Sequence, residues 1–262
     1  MRINRAVFGA LLALVILASA IIALSGSGYS SQDREHPLAA ASMQHPAGTD
    51  ELGRDRMVRV SAAFLISMAG AVAASAVTTI AAGVIGAGAA FLSGIAAWTI
   101  MLICDVFLAL PWLFLLMMVR SALPLNTSPA ASAAITFVIL ASLGWPACAR
   151  AVYRGAMKLK YSDWMIQARA SGLRTSRLMR SALPSLLPLL LPQFLICIPA
   201  FVMAEANLGA LGLGIGEPLP SWGGMLLELD NSAMLLETRW VLLPISLLCF
   251  VLLLLEAIMV EA

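Results

Sequence analysis

VSAAFLISMAGAVAASAVTTIAAGVIGAGAAFLSGIAAWTIMLIC, residues 60–104, runs for forty-five positions without a charged side chain. As a single helix it would be ~68 Å long, about twice the hydrocarbon thickness of a bilayer. The stretch must therefore fold back on itself inside a membrane. Its glycines cluster between residues 83 and 94, so the turn is predicted there, with helices over 60–83 and 96–119. The rest of the chain agrees. Apolar residues make up 61% of it and charged residues only 11%, against about 25% charged in a soluble domain.

Working outward, residues 6–24 give nineteen positions without a charge, preceded by Arg2 and Arg5. The apolar core of a cleaved signal is usually ~7–15 residues, so this stretch reads as a retained first span with its N-terminus inside. A fourth span is predicted over 130–149, after a turn at 124–129, a fifth over 182–205 and a sixth over 240–257. The fifth carries Pro184, Pro188 and Pro192 at four-residue intervals, then Pro199. Residues four apart share a helix face. The pattern fits either a kinked, inert helix or one bent because it borders a pathway.

Charge sets the orientation. Half of the sixteen Lys and Arg residues fall between 150 and 181: Arg150, Arg154, Lys158, Lys160, Arg169, Arg174, Arg177 and Arg180. Cytoplasmic loops of membrane proteins collect such residues, so 150–181 is predicted inside. Residues 25–58, with five acids, and 207–238, with Glu217, Glu228, Asp230 and Glu237 and no Lys or Arg, are predicted outside. Both termini then lie in the cytoplasm. The net charge of +2 is local to one segment and gives no reason to expect nucleic acid as a partner.

Most catalytic chemistry is excluded. There is no Gly-x-x-x-x-Gly-Lys-Ser/Thr loop for ATP phosphates. The two histidines, His36 and His45, sit in the first external loop, which removes a histidine-based zinc protease and argues against a buried Ser-His-Asp triad. The Gly212-Leu-Gly214-Ile-Gly216 run has the wrong spacing for a dinucleotide fingerprint and follows no predicted strand. Cys104, Cys148, Cys197 and Cys249 read as small apolar side chains, with no metal and no disulfide implied. Asp105 is the one ionisable residue inside a span, a candidate for a transport role or for pairing near the interface. Glu205 and Glu256 sit at span ends, where hydration is expected. The external segment has six glycines between Gly209 and Gly224, with Trp222 among them. It reads as a structural hairpin or as the roof of a cavity.

Inside the basic segment, Ser162 is placed to cap a short helix, with Asp163 in its first turn and Gly172 as its stop. Trp164, Ala168 and Ser171 fall along one side, and Met165 and Arg169 along the next. Such a helix fits a membrane surface or a groove in a partner equally well.

The run Asp163-Trp-Met-Ile-Gln-Ala-Arg-Ala-Ser-Gly172, followed by Leu183-Pro184, resembles the cytoplasmic loop of ATP-binding-cassette importer permeases. Four more stretches extend the match, in family order over almost the whole chain. They are His45-Pro-Ala-Gly-Thr-Asp-Glu-Leu-Gly-Arg-Asp55, Asp105-Val-Phe-Leu-Ala-Leu-Pro111, Gly144-Trp145 through Arg154, and Glu205-Ala-Asn-Leu-Gly-Ala-Leu-Gly-Leu-Gly214 through Pro220-Ser-Trp-Gly223. The chain is most similar to the second permease of the dipeptide, oligopeptide and nickel importers.

That resemblance implies an all-α integral membrane protein of six transmembrane helices with the type I importer permease fold. Residues 1–57 would form an N-terminal span and external loop, and 58–262 a permease domain of five helices with the coupling loop 150–181. It implies a homologous permease, two ATPase subunits, an extracytoplasmic solute-binding protein and the lipid bilayer as partners, and no cofactor or catalytic residue in this chain. Asp163, Trp164, Gln167, Ala168, Arg169, Ala170 and Gly172 would meet an ATPase. Asp105, Pro111, Glu205 and Trp222 would border the pathway or its gate. One departure stands out: the family's Glu-Ala-Ala, six residues before the glycine, is Ile166-Gln167-Ala168 here, and Gly172 lies one residue closer to Leu183-Pro184 than the pattern expects. A secondary transporter or a poorly coupled copy are the competing readings.

Overall fold

The computed structural model describes residues 5–26, 28–92, 94–122, 127–173, 175–228 and 242–261. The helices are α1 (Arg5–Leu24), α2 (Arg56–Phe91), α3 (Ile95–Ala109), α4 (Trp112–Ser121), α5 (Pro129–Lys160), α6 (Asp163–Ala170), α7 (Thr175–Ala210), α8 (Trp222–Leu227) and α9 (Leu243–Glu261). The described residues contain no strand, only an isolated bridge between Thr49 and Asp55. α1, α2, α5 and α7 are long and apolar enough to cross a membrane, and α3 with α4 makes a fifth candidate bent by 82°. The apolar stretch of α9 is shorter, and the first two residues of the predicted sixth span, 240 and 241, lie outside the described residues.

Several boundaries move. α2 continues past residue 83 to Phe91, and the turn falls at 92–94. The predicted third helix breaks at Leu110-Pro111. Proline drives the residue before it out of helical geometry, and Leu110 is extended at φ −83°, ψ 136°. The predicted loop 150–181 is largely helical: α5 runs on to Lys160 and α7 starts at Thr175, so only short turns flank α6. α7 keeps its helix through all four prolines.

The chain forms two compact units, to which the long helices α2, α5 and α7 each contribute. The first holds residues 1–72, 120–137 and 198–262. In it α1 and α8 pack on α9, and Val60, Ala63 and Met225 form a core edged by Leu243 and Leu247. The second holds residues 73–119 and 138–197. Its core is made of Ala87, Ala90, Val152, Ala156 and Leu186. Small side chains let the α2 and α5 backbones approach, and the Thr78 hydroxyl donates to the Ala141 carbonyl at 3.2 Å. This packing explains why residues 150–160 are helical despite their charge: Val152 and Ala156 lie one turn apart on the buried face. Cys148 and Cys197 also meet here, sulfur to sulfur at 3.2 Å, and both are free thiols.

Candidate functional site

In the second unit, Tyr161 and Ser162 alone separate α5 from α6. Ser162 has the extended backbone of a capping residue, but its hydroxyl does not cap. It donates instead to the Leu159 carbonyl at 2.6 Å, because the end of α5 lies so close that its free carbonyl competes for the same group. Asp163 occupies the first turn, as expected. Gly172 ends the helix at φ +79°, a conformation that glycine adopts without a Cβ penalty. Its N–H donates to the Arg169 carbonyl, and the Leu173 N–H reaches Ala168, which satisfies the last carbonyls in a Schellman turn.

One side chain anchors α6. Met165 is wholly buried with Leu178 and Ala182, flanked by Phe91, Leu159 and Ala168. Asp163, Gln167, Arg169, Ala170 and Gly172 are exposed and Ala168 half-buried. Trp164 is 40% exposed and Ile166 52%. Asp105 on α3 is ion-paired with Arg150 on α5, which offsets the cost of a carboxylate within a span. Pro111, at the break between α3 and α4, is exposed.

The first unit carries a denser polar cluster. Asp55 immediately precedes α2, its carboxylate accepting the Val58 N–H at 3.1 Å and facing His45 Nδ1 at 2.8 Å. Asp50 takes the N–H groups of Leu52 and Arg54 on Oδ1 and the Arg54 Nε at 2.6 Å on Oδ2. Arg54 and Arg59 are buried, and both reach Glu217: Arg54 Nη1 donates to Oε2 at 2.6 Å and Arg59 Nη2 to Oε1 at 2.8 Å. Burial works against the Arg54 charge. Asp50 and then Glu217 outweigh it and hold the guanidinium above its ordinary pKa.

The glycine-rich segment is held in place by a second arginine clamp. Arg120 donates to the carbonyls of Leu213 and Gly214, each at 2.9 Å, and to the Ser132 hydroxyl. Ser221 caps α8 by accepting the Gly224 N–H at 3.1 Å. At Gly209 and Gly223 the backbones touch, so that a Cβ on either would overlap the other's Cα. Trp222 is wholly buried, edge-on to Phe64 at 5.7 Å. Glu205 is wholly buried as well, contrary to the hydration expected at a span end. α7 runs one and a half turns past it to Ala210, and the Gly223 backbone lies against its carbonyl. The Ser67 hydroxyl donates to Glu205 Oε2 at 2.8 Å. Ser221 and the Gly223 backbone also approach this carboxylate, while Trp222 Nε1 has no hydrogen-bond partner among the described residues. Nearby, a cavity of about 390 Å³ is lined by Arg59, Arg120, Ser132, Glu217 and the backbone of Gly212 to Gly216.

Residues 79–261 match the family described as "Binding-protein-dependent transport system inner membrane component". The chain belongs to this family. It is the permease subunit of an ATP-binding-cassette importer, a multi-pass membrane protein. The oligopeptide transport system permease protein OppC of Bacillus subtilis (strain 168) is 30% identical over 224 residues, covering 84% of this chain and 71% of that protein. OppC of Escherichia coli (strain K12) is 29% identical over 94% of this chain and 83% of its own length. The dipeptide transport system permease protein DppC of B. subtilis is 31% identical over 76% of this chain and 60% of its own.

Sequence reading of the permease did not single out Arg59, Arg120, Ser67 or Glu217 as site residues. The signal was partial. Arg54 lies inside a stretch that carries the family resemblance, but its partner Glu217 is 163 positions away. Only the fold joins them.

Proposed function

We propose that this permease pairs with a homologous permease and is driven by two ATPase subunits, with an extracytoplasmic binding protein delivering peptides or similar small solutes. In this reading the chain spans a bacterial inner membrane six times with both termini in the cytoplasm. Residues 1–57 are its N-terminal span and external loop, and 58–262 its permease domain. Relatives named as oligopeptide and dipeptide permeases support the substrate class.

The observation that carries the reading is α6. One buried methionine fixes it, while almost every other side chain is left free. A helix held this way is a rigid knob for a groove in a partner. Asp163, Trp164, Gln167, Ala168, Arg169, Ala170 and Gly172 form the ATPase-facing surface. Ile166 stands where the family has a carboxylate, so Asp163 is left as the only acid on the knob. ATP-driven closure of the ATPases would then rock the spans between inward-open and outward-open states. Glu205 and Trp222 belong to the outer gate; the unpartnered Trp222 indole N–H fits a contact that is remade when the gate moves. Asp105, tied to Arg150, and Pro111, at the break of the third span, shape the helix bordering the path.

The test is co-purification of the detergent-solubilised complex carrying Trp164→Ala and Gln167→Arg, both at exposed positions. Wild type should retain the ATPase subunits, and the double variant should lose them at an unchanged melting temperature. Retention by the double variant would overturn coupling through α6.

A further inference from the structure

A groove in the second unit shares only Arg150, the partner of Asp105, with the coupling and gate readings. It is a cavity of about 480 Å³ between the first half of α3 and the last turns of α5. Arg150, Tyr153, Arg154, Met157 and Lys160 recur at three- and four-residue steps, so they line one face of α5. Gly94, Ala97, Trp98 and Met101 make the facing wall. Three cations therefore look into one groove, and no carboxylate is among the described residues that line it.

The three cations are not equivalent. Arg150 is taken up by Asp105. Lys160 donates to the Ala90 carbonyl at 2.7 Å and lies 3.5 Å from that of Leu92, which closes the end of α2 and holds the ammonium at the mouth of the groove. Arg154 is exposed and makes no ion pair or hydrogen bond among the described residues. Its guanidinium is available. Away from these charges the α3 surface turns apolar, with Trp98 64% exposed and Ile95 and Leu102 also open. Tyr153, Tyr161 and Trp98 bring amphipathic rings to the place where the apolar span gives way to charge, the position such rings favour at a membrane interface.

We propose that this groove binds an anionic phospholipid, its phosphate between Arg154 and Lys160 and an acyl chain along Trp98, Met101 and Leu102. Two features favour a lipid over free phosphate. The cationic end opens onto an apolar wall that a soluble anion could not use, and the groove lies at the end of a span, where headgroups are. Basic pockets between transmembrane helices are suited to such headgroups.

The full permease–ATPase complex is reconstituted in phosphatidylcholine vesicles containing a minority of phosphatidylglycerol. Bromine is placed on the acyl chains of one lipid or the other, and tryptophan quenching is read. Brominated phosphatidylglycerol should quench more strongly than brominated phosphatidylcholine, and the excess should vanish in Trp98→Phe. In Arg154→Gln the excess should need about fivefold more phosphatidylglycerol, the loss of one interfacial cation. Arg154→Lys should restore most of it, which a merely structural role for the arginine would not allow. Equal quenching by both lipids would mean an ordinary annular surface and overturn the proposal. So would competition by inorganic phosphate at constant ionic strength, which would assign the site to a free anion. Absence of any Trp98 quenching would mean that protein covers the groove, and would overturn it too.

Discussion

The helix α6 and the segment around Glu217 both carry charge next to apolar spans, yet they are built in opposite ways. Around Glu217 most charged side chains are tied to one another inside the fold: Asp50 holds Arg54, Glu217 receives Arg54 and Arg59, and Arg120 grips the carbonyls of Leu213 and Gly214, while the buried Arg56 guanidinium has no hydrogen-bond partner among the described residues. α6 does the reverse. A single apolar side chain, Met165, is buried, and the polar groups are left to whatever comes. Charges satisfied inside a fold stabilise a shape, whereas charges left open on a fixed helix make a contact surface. The difference is a reason to look for partner affinity at α6 and for conformational stability at the Glu217 cluster.

Met165→Ala should break that contrast most severely. Truncating a wholly buried methionine costs about 2–5 kcal/mol, and here the loss falls on a helix with one anchor. The melting temperature of the detergent-solubilised complex should drop, and α6 amides should lose protection from hydrogen exchange. Trp164→Ala, on the exposed side of the same helix, should leave both unchanged while weakening ATPase recovery. Equal thermal effects at the two positions would mean that α6 is not held by Met165 alone.

A smaller effect is expected from Glu217→Gln. The two arginines it serves are buried, and a buried charge left without its partner is costly. Glu217 itself is 60% exposed, however, and water screens its side of the pair. About 1–2 kcal/mol of thermal stability should therefore be lost, below the full cost of breaking a wholly buried pair. A double-mutant cycle with Arg54→Met measures the coupling directly. A coupling near zero would show that Asp50 alone holds Arg54.

These two regions also show what the sequence could tell. The membrane class, up to five of the six predicted spans and the short helix at 163–170 were legible because long charge-free runs and a local stop at Gly172 are contiguous signals. The helical course of 150–160 was hidden. Its four cations marked it as a loop, while the apolar spacing of Val152 and Ala156 that seats it on α2 is too short a pattern to stand out. The bend at Leu110-Pro111 could have been read from the proline, but it was lost inside an apolar run of the right length for one span. Glu205 was read from its place near a predicted helix end, and only the fold shows α8 closing over it. The Glu217 cluster was out of reach for a different reason: its members are far apart in the chain, and pairing at that separation leaves no periodic trace.

The smallest effect tests whether the cluster is balanced as closely as its hydrogen bonds suggest. Glu228 lies beside it, and burial raises its pKa. Arg56, Arg59 and Arg54 pull the other way, while the Asp50 charge adds to the rise. A carboxyl whose folded pKa is raised binds its proton more tightly in the folded state than in the unfolded one. Its contribution to stability is therefore favourable at acid pH and is lost as pH climbs from the ordinary carboxylate range through the raised folded value. Glu228→Gln should remove that slope, so the stability difference between wild type and variant should change across this window and level off above it. The change should be smaller than the loss in Glu217→Gln, because three arginines offset much of the burial. A difference independent of pH would mean that the arginines already hold Glu228 charged throughout, and that the cluster extends one acid further than its hydrogen bonds show.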